Sequence, residues 1–222
     1  MKKIILNAGF LLLAVASMAQ SDKYVNAMKA NIAQLDSMVV KQNSVELANN
    51  FERIAEAEKT QWLPYYYAAL AQINSGYSLV QTQDVMAGGL GTTLDPIADK
   101  AEGLLNKAEA LSKNNSEIYV VKKMIASLRM MADPMTRYMT YGPQAAQALE
   151  TAKKLNPNNP RIYYLEGQDK LYTPEQFGGS KTEAKKLFEE ALKKYDAFKP
   201  ESSISPSWGR STTQYFLTQA QQ

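Results

Sequence analysis

Apolar residues recur along the chain at spacings of three and four, which is the period of an α-helix with one buried face. The clearest stripe is Ala145, Leu149 and Ala152, where a large side chain stands between two small ones. Small outer residues allow a neighbouring helix to approach closely, while the larger one fills the gap. The stripe recurs at Ala101, Leu105, Ala108 and at Ala184, Phe188, Ala191, and a degenerate copy stands at Leu47, Phe51, Ile54.

A second periodic feature is an aromatic residue eighteen positions after the start of three stripes: Tyr65, Tyr119 and Tyr163. Four residues further on, Ala69 and Gly167 are small, whereas the middle copy has Lys123. The fourth stripe has Ser202 at the aromatic position, which predicts that the repeat array ends there. The repeat length therefore predicts helix pairs stacked in one direction.

This pattern resembles the tetratricopeptide repeat (TPR) superfamily, in which a small, a large and a small residue mark the second helix and an aromatic opens the next pair. The best match runs over 145–167, where Pro157 supplies the family's proline turn. The resemblance covers about residues 45–195, and 51–208 is also similar to uncharacterised exported bacterial TPR-like proteins. It implies an all-α fold of antiparallel helix pairs, stacked as a short right-handed solenoid. An ordinary helical bundle with accidental spacing is the alternative.

Capping residues and prolines place the helices independently of the repeat. They predict a single domain over 20–222, with an N-terminal helix in 20–43, helix pairs in 44–199 and a capping helix in 200–222. The last helix would cover the apolar face of the final pair, which has no other neighbour. The predicted helix starts lie near residues 22, 44, 61, 95, 116, 143, 160, 180 and 206.

The turns inside the predicted pairs are long, at about 77–94, 132–142 and 173–180, whereas those between pairs are short. Equivalent turns of a solenoid emerge on one edge, and long loops on a rigid scaffold often bind ligands. The second loop can instead be pinned to the core by its own side chains, and the third can be a tight turn. The candidate binding residues of this loop edge are Asp133, Arg137, Tyr138, Tyr141 and Phe177.

A second candidate surface follows from the resemblance, because the first helix of each pair lines a concave groove in TPR arrays. Tyrosine and arginine at such positions suit peptide recognition. The alternative is that Tyr66 and Tyr164 pack against the long loops as part of the core. The positions that match the family's groove are Tyr66, Asn74, Glu117, Met124, Ser127, Arg161, Tyr164, Gln168 and Tyr172.

The N-terminus has the form of a secretory signal peptide over 1–19. Lys2 and Lys3 precede an apolar run over 4–16, and Ser17 and Ala19 supply the small residues of a cleavage site. A helix of this run reaches only about 20 Å, short of the roughly 30 Å membrane core, which argues against a permanent anchor. We expect cleavage near Ala19 and export to the periplasm or outside the cell as a soluble protein.

The composition excludes several classes of chemistry. The chain has no cysteine and no histidine, which excludes zinc sites built from them, Ser-His-Asp catalysis and thiol chemistry. Two lysines of the formal charge of +3 lie in 1–19, so the remainder carries about +1 and offers no field for nucleic acid. Carboxylates such as Glu56 and Glu189 lie beside lysines, as solvated pairs do. We therefore expect no metal, no cofactor and no enzymatic activity.

These observations predict a non-catalytic scaffold that binds a protein or peptide partner of unknown identity, and leave two alternatives. One is a periplasmic small-ligand-binding component of a transport or envelope system, which a pocket under the long loops would favour. The other is a structural subunit of an envelope assembly, which a large exposed apolar patch would favour. The sequence does not define the oligomeric state.

Overall fold

A computed structural model of the chain describes residues 22–35 and 44–222. The predicted signal peptide and the end of the predicted N-terminal helix lie outside these residues. The part described contains helices and no strand, and the predicted all-α fold of packed helix pairs is confirmed. The helices are α1 over 22–35, α2 Ser44–Ala57, α3 Trp62–Val80, α4 Gly91–Leu111, α5 Ser116–Met131, α6 Pro134–Leu155, α7 Pro160–Tyr172, α8 Lys181–Ala197 and α9 Arg210–Ala220, with short 3-10 turns at Val85–Ala87 and Glu175–Phe177.

The predicted stripes form the contacts between helices. Ala184, Phe188 and Ala191 of α8 are fully buried, and Phe188 packs on Gly167 of α7. A Cβ atom at Gly167 would lie 2.5 Å from Cε1 of Phe188, so only glycine permits this approach. The other stripe and small positions are buried as well, except Ile54, which is half-buried.

The three repeated tyrosines lie on α3, α5 and α7, each beneath a lysine. The ammonium groups stand 5.4 Å from the ring of Tyr65, 4.7 Å from that of Tyr119 and 5.0 Å from that of Tyr163. Cation–π contact of this kind adds to the packing of the buried ring of Tyr65 and of the half-buried rings of Tyr119 and Tyr163. Pro157 lies in the exposed turn before α7.

Lys123 replaces the small residue of the middle repeat without leaving the core. Its side chain is 4% exposed, and Nζ lies 2.6 Å from Oδ1 of Asp169 on α7. A long charged side chain fits here because it spans the space between two helix pairs and ends on a carboxylate at the surface.

The predicted loop over 132–142 is wrong, because α6 already begins at Pro134. Asp133 caps it by accepting a hydrogen bond from the amide of Thr136 at 3.4 Å. Pro143, a predicted helix start, lies inside α6, and Pro96 lies inside α4 in the same way. The first long turn shortens to 81–90, and the predicted third turn at 173–180 is present.

The chain after α8 also differs from the prediction. Residues 198–209 are not helical, and the last helix begins at Arg210 rather than near 206. Within residues 22–35 and 44–222, each helix is too short or too polar to span a lipid bilayer.

Candidate ligand-binding surfaces

Three residues predicted to line the groove form a buried polar cluster instead. Arg161 is fully buried, and its Nη1 lies 2.9 Å from Oε1 of Glu117. The hydroxyl of Tyr66 donates to Oε2 of Glu117 at 3.0 Å, and Asn159 Nδ2 donates to Oε1 at 2.9 Å. Burial, followed by the charge of Glu117, raises the pKa of Tyr66 well above its usual value. These side chains join α3, α5 and α7 and are not available to a partner.

The chain's own C-terminal segment, 198–209, covers this cluster. Trp208 Nε1 donates to the hydroxyl of Tyr66 at 2.8 Å, and the carbonyl of Ile204 accepts from Tyr67 at 3.0 Å. The guanidinium carbon of Arg161 lies 5.2 Å from the ring of Phe198 and 5.1 Å from that of Trp208. The predicted peptide groove is therefore wrong at these residues, because the segment 198–209 occupies the place that was assigned to a peptide.

The other groove positions divide between core and surface. Met124, Ser127 and Tyr164 are buried, and burial raises the pKa of Tyr164. Asn74 and Gln168 are half-buried. Tyr172 is the one groove candidate that is largely exposed.

Two of the predicted loop-edge residues are fixed to neighbouring helices. Arg137 holds Asp95 of α4 with both terminal nitrogens, at 2.6 and 2.9 Å, and donates to the carbonyl of Arg129 at 3.2 Å. This hydrogen bonding by Asp95 raises the pKa of Arg137. Asp133 is the cap of α6, as described above. Both are therefore structural residues, and Tyr141 is half-buried.

An exposed aromatic patch, defined by Tyr172, Tyr215 and Phe216, lies where α7 ends beside α9. The centre of the Phe216 ring is 5.9 Å from that of Tyr172 and 5.2 Å from that of Tyr215, and both contacts are edge to face. The same ring packs inward on Tyr164 and Phe188, at 6.1 and 6.0 Å. Core residues thus hold the patch rigid, while 65% of Tyr172 and 56% of Tyr215 remain exposed.

The pKa of Tyr172 reflects its position in this patch. Partial burial raises the pKa of Tyr172, and the proximity of Tyr215 raises it further. Tyr215 and Phe216 were not among the predicted site residues, because the sequence assigned α9 only a covering role. The available signal was two adjacent aromatics in a helix, one of which must point away from the core.

A second apolar surface, the methionine patch, consists of Met86, Met135, Tyr138 and Met139. Met135 is 77% and Met139 80% exposed, and both lie in the first turns of α6. The segment that carries Met86 is joined to this region where the amide of Leu90 donates to the carbonyl of Ala132 at 2.9 Å. Phe177, which was predicted as a binding residue of the loop edge, is also exposed. The methionine patch, Phe177 and Tyr172 all lie at turns inside helix pairs.

The part of the chain described has no group of three or more Asp or Glu side chains placed to hold a metal ion. Exposed donors of another kind include the tyrosine oxygens and methionine sulfurs of the two patches.

Comparison with known proteins gives one informative match. No protein-family model matches the chain, and no curated protein does. Among solved structures, the chain is similar to the HusA haemophore from Porphyromonas gingivalis, with 33% sequence identity and a TM-score of 0.75. The match covers 89% of this chain and 92% of that one.

This match overturns the expectation of a scaffold for protein or peptide partners. A haemophore is named for a small ligand, and the segment 198–209 already fills the groove in which a peptide was expected. The small-ligand alternative fits both findings. At this identity and coverage, the chain belongs to the same family as the HusA haemophore.

Proposed function

We propose that this protein is an exported carrier that binds haem or a related porphyrin at the aromatic patch. The observation that carries the proposal is the match to a haemophore over nearly the whole length of both chains. The prediction of a signal peptide over 1–19 supports export, since a carrier of this kind acts outside the cytoplasm. The proposal involves no catalytic step.

The aromatic patch suits the faces of a porphyrin. A flat apolar ring system gains most from rigid aromatic side chains that already lie at the surface, because little side-chain entropy is lost on binding. Tyr172 and Tyr215 present such rings, and Phe216 fixes both. An exposed apolar cluster of this kind in a folded protein commonly marks a binding surface.

The donor set of the chain restricts how the iron of haem can be held. Protein ligands to haem iron are histidine, cysteine, methionine and tyrosine, and this chain lacks the first two. Tyr172 and Tyr215 both contact the ring of Phe216, which places two oxygen donors at one surface. The patch therefore offers both a ring contact and an iron ligand.

The methionine patch is the second candidate location, because Met135 and Met139 supply exposed thioether sulfurs. Methionine is also a soft, adaptable contact for an apolar ligand. Its tyrosine, Tyr138, is exposed as well. The two patches are separate sets of residues, so variants distinguish them.

Haem titration followed by visible absorbance tests the proposal. Tyr172→Ala with Tyr215→Ala removes about 50–100 Å² of apolar contact per ring, or about 1–2 kcal/mol each, and should weaken binding at least about tenfold. Met135→Ala with Met139→Ala should leave the affinity unchanged. Val45→Ala with Leu111→Ala removes exposed apolar side chains from the ends of two other helices and is the control. Unaltered affinity in the tyrosine double variant would refute the aromatic patch as the site.

Replacement by phenylalanine distinguishes the ring contact of the two tyrosines from their role as iron ligands. Tyr172→Phe with Tyr215→Phe keeps the rings and removes the oxygens, so it should weaken haem binding and spare iron-free protoporphyrin. Because coordination requires the deprotonated oxygen and the pKa of Tyr172 is raised, haem affinity should increase with pH by up to about tenfold per unit above neutral pH. Iron-free protoporphyrin should lack this dependence. Equal pH profiles for the two ligands would exclude a tyrosine ligand.

A further inference from the structure

A cavity of about 770 Å³ lies at the other end of the helix pairs from the two patches. Its walls are the turn after α4, the turn after α6 and the segment that follows α8. This volume is in the range of small-molecule sites, roughly 300–1,000 Å³. The segment 198–209 lies outside the repeats, so the cavity is specific to the way this chain ends.

The charged side chains around the cavity have a small positive excess, with three lysines against two glutamates. Lys113, Lys194 and Lys199 line it, together with Glu117 and Glu201. Glu117 is neutralised by the buried Arg161, which lies 2.9 Å away. Lys194 forms an ion pair with Glu190 of its own helix, whose Oε1 lies 3.5 Å from Nζ.

Two of these lysines are available to a ligand. Within residues 22–35 and 44–222, neither Lys113 nor Lys199 forms an ion pair, and both are exposed. An ammonium group with no carboxylate partner attracts an anion that enters the cavity, and the attraction is larger where protein walls exclude part of the water.

The remaining wall is aromatic and apolar. Trp62 lines the cavity and is held edge to face against Tyr66, with ring centres 5.5 Å apart. Phe198, on the segment 198–209, also lines the cavity, and its ring is packed against the guanidinium of Arg161. Both rings are therefore positioned before any ligand arrives. The amides of Asn114, Asn156 and Asn158 add hydrogen-bonding groups.

We infer that this cavity is a second binding site, for a small organic anion with a flat apolar body and a carboxylate or sulfonate group. The aromatic side chains would contact the body, and Lys113 and Lys199 would pair with the anionic group. The cavity is not a second haem site, because none of its lining residues is an iron ligand. At about 1.5 Å per residue, α7 alone separates the start at Pro160 from Tyr172 by roughly 18 Å. One small molecule cannot contact both sites.

The fluorescent anion 8-anilinonaphthalene-1-sulfonate is a suitable probe, and neutral N-phenyl-1-naphthylamine has the same aromatic body without the sulfonate. The chain has two tryptophans, so a nitrogen–proton NMR spectrum contains two indole N–H signals. The signal that disappears in Trp62→Phe is that of Trp62. Titration with the anion should shift the Trp62 signal saturably. The neutral compound should bind at least about fivefold more weakly, since it lacks the charge interaction.

Lys113→Gln with Lys199→Gln should weaken the anion about fivefold or more, and added salt should reduce this difference. Lys181→Gln with Lys186→Gln removes the same charge from the first turns of α8 and should have no effect. An unshifted Trp62 signal, equal affinity for the two compounds, or equal loss in both lysine variants would overturn the inference.

Haem titration of the Lys113→Gln, Lys199→Gln protein separates this inference from the proposed function. Unchanged haem affinity supports two independent sites. Loss of haem affinity would overturn the second site, because the cavity would then hold the haem. Failure of the anion to bind while haem still binds at the aromatic patch would overturn the second site alone.

Discussion

Arg161→Met keeps most of the volume of a fully buried side chain and removes its charge. In the folded protein, Glu117 is compensated by the guanidinium at 2.9 Å, and its side chain is only 13% exposed. After the substitution, the carboxylate retains the hydroxyl of Tyr66 and the amide of Asn159 but has no cation. Removing one partner of a buried pair costs about 3–5 kcal/mol, because the other charge remains desolvated.

The expected loss is therefore about 3–5 kcal/mol in the free energy of unfolding, measured by urea denaturation with circular dichroism. Arg161→Met with Glu117→Gln removes both charges and should recover about 2 kcal/mol of it, which the double-mutant cycle reports as coupling. Arg210→Met is the control, since its pair with Asp196 is exposed and should contribute less than about 1 kcal/mol. A loss below about 1 kcal/mol for Arg161→Met, or no coupling, would refute the assignment of this cluster to the core.

Two further predictions concern the repeat and alkaline pH. Gly167→Ala places a Cβ atom 2.5 Å from the buried Phe188 ring. The resulting overpacking, about 1–3 kcal/mol, should outweigh the gain in helix propensity of about 1 kcal/mol. Gly103→Ala is the control, because its Cβ atom would have no neighbour within 4 Å, and it should stabilise the protein. A stabilising Gly167→Ala in the same urea assay would contradict the close packing. Burial, with the charge of Glu58 adding to it, raises the pKa of Tyr24 to about 12, above the value of about 10 for an unfolded chain. Its contribution is thus complete below about pH 10 and is lost as the pH rises through 12, so the decline in stability between these values should be smaller in Tyr24→Phe.

The repeat could be predicted from the sequence because its signal is local. The stripes of α4, α6 and α8 have a helical period that follows from backbone geometry, and the cap of α8 at Ser180 accepts the Glu183 amide at 3.2 Å as its sequence predicts. The misplaced start of α6 has a local cause too. Pro143 fits a first turn best, but the helix extends past it because Asp133 and Pro134 provide a better start nine residues earlier.

The candidate site was less predictable, because a surface that binds a flat aromatic ligand contains the same residue types as a hydrophobic core. The family resemblance assigns both Tyr164 and Tyr172 to the groove, but the sequence does not show that the first is buried and the second exposed. That difference depends on Phe216, which arrives from α9 and packs between them. The absence of histidine and cysteine, by contrast, is a property of the sequence alone, and it limits any iron ligand to tyrosine or methionine.

The sequence by itself determined the helices, their pairing and the chemistry excluded by composition, because these depend on neighbours within a few turns. Only the tertiary structure decided that the predicted groove is closed. Trp208 reaches Tyr66 across 142 residues, and no periodic signal encodes that contact. The covering segment is stable there because it satisfies the hydroxyl of Tyr66 and surrounds the Arg161 guanidinium with aromatic rings. In doing so it turns predicted binding residues into core and forms a cavity beside them.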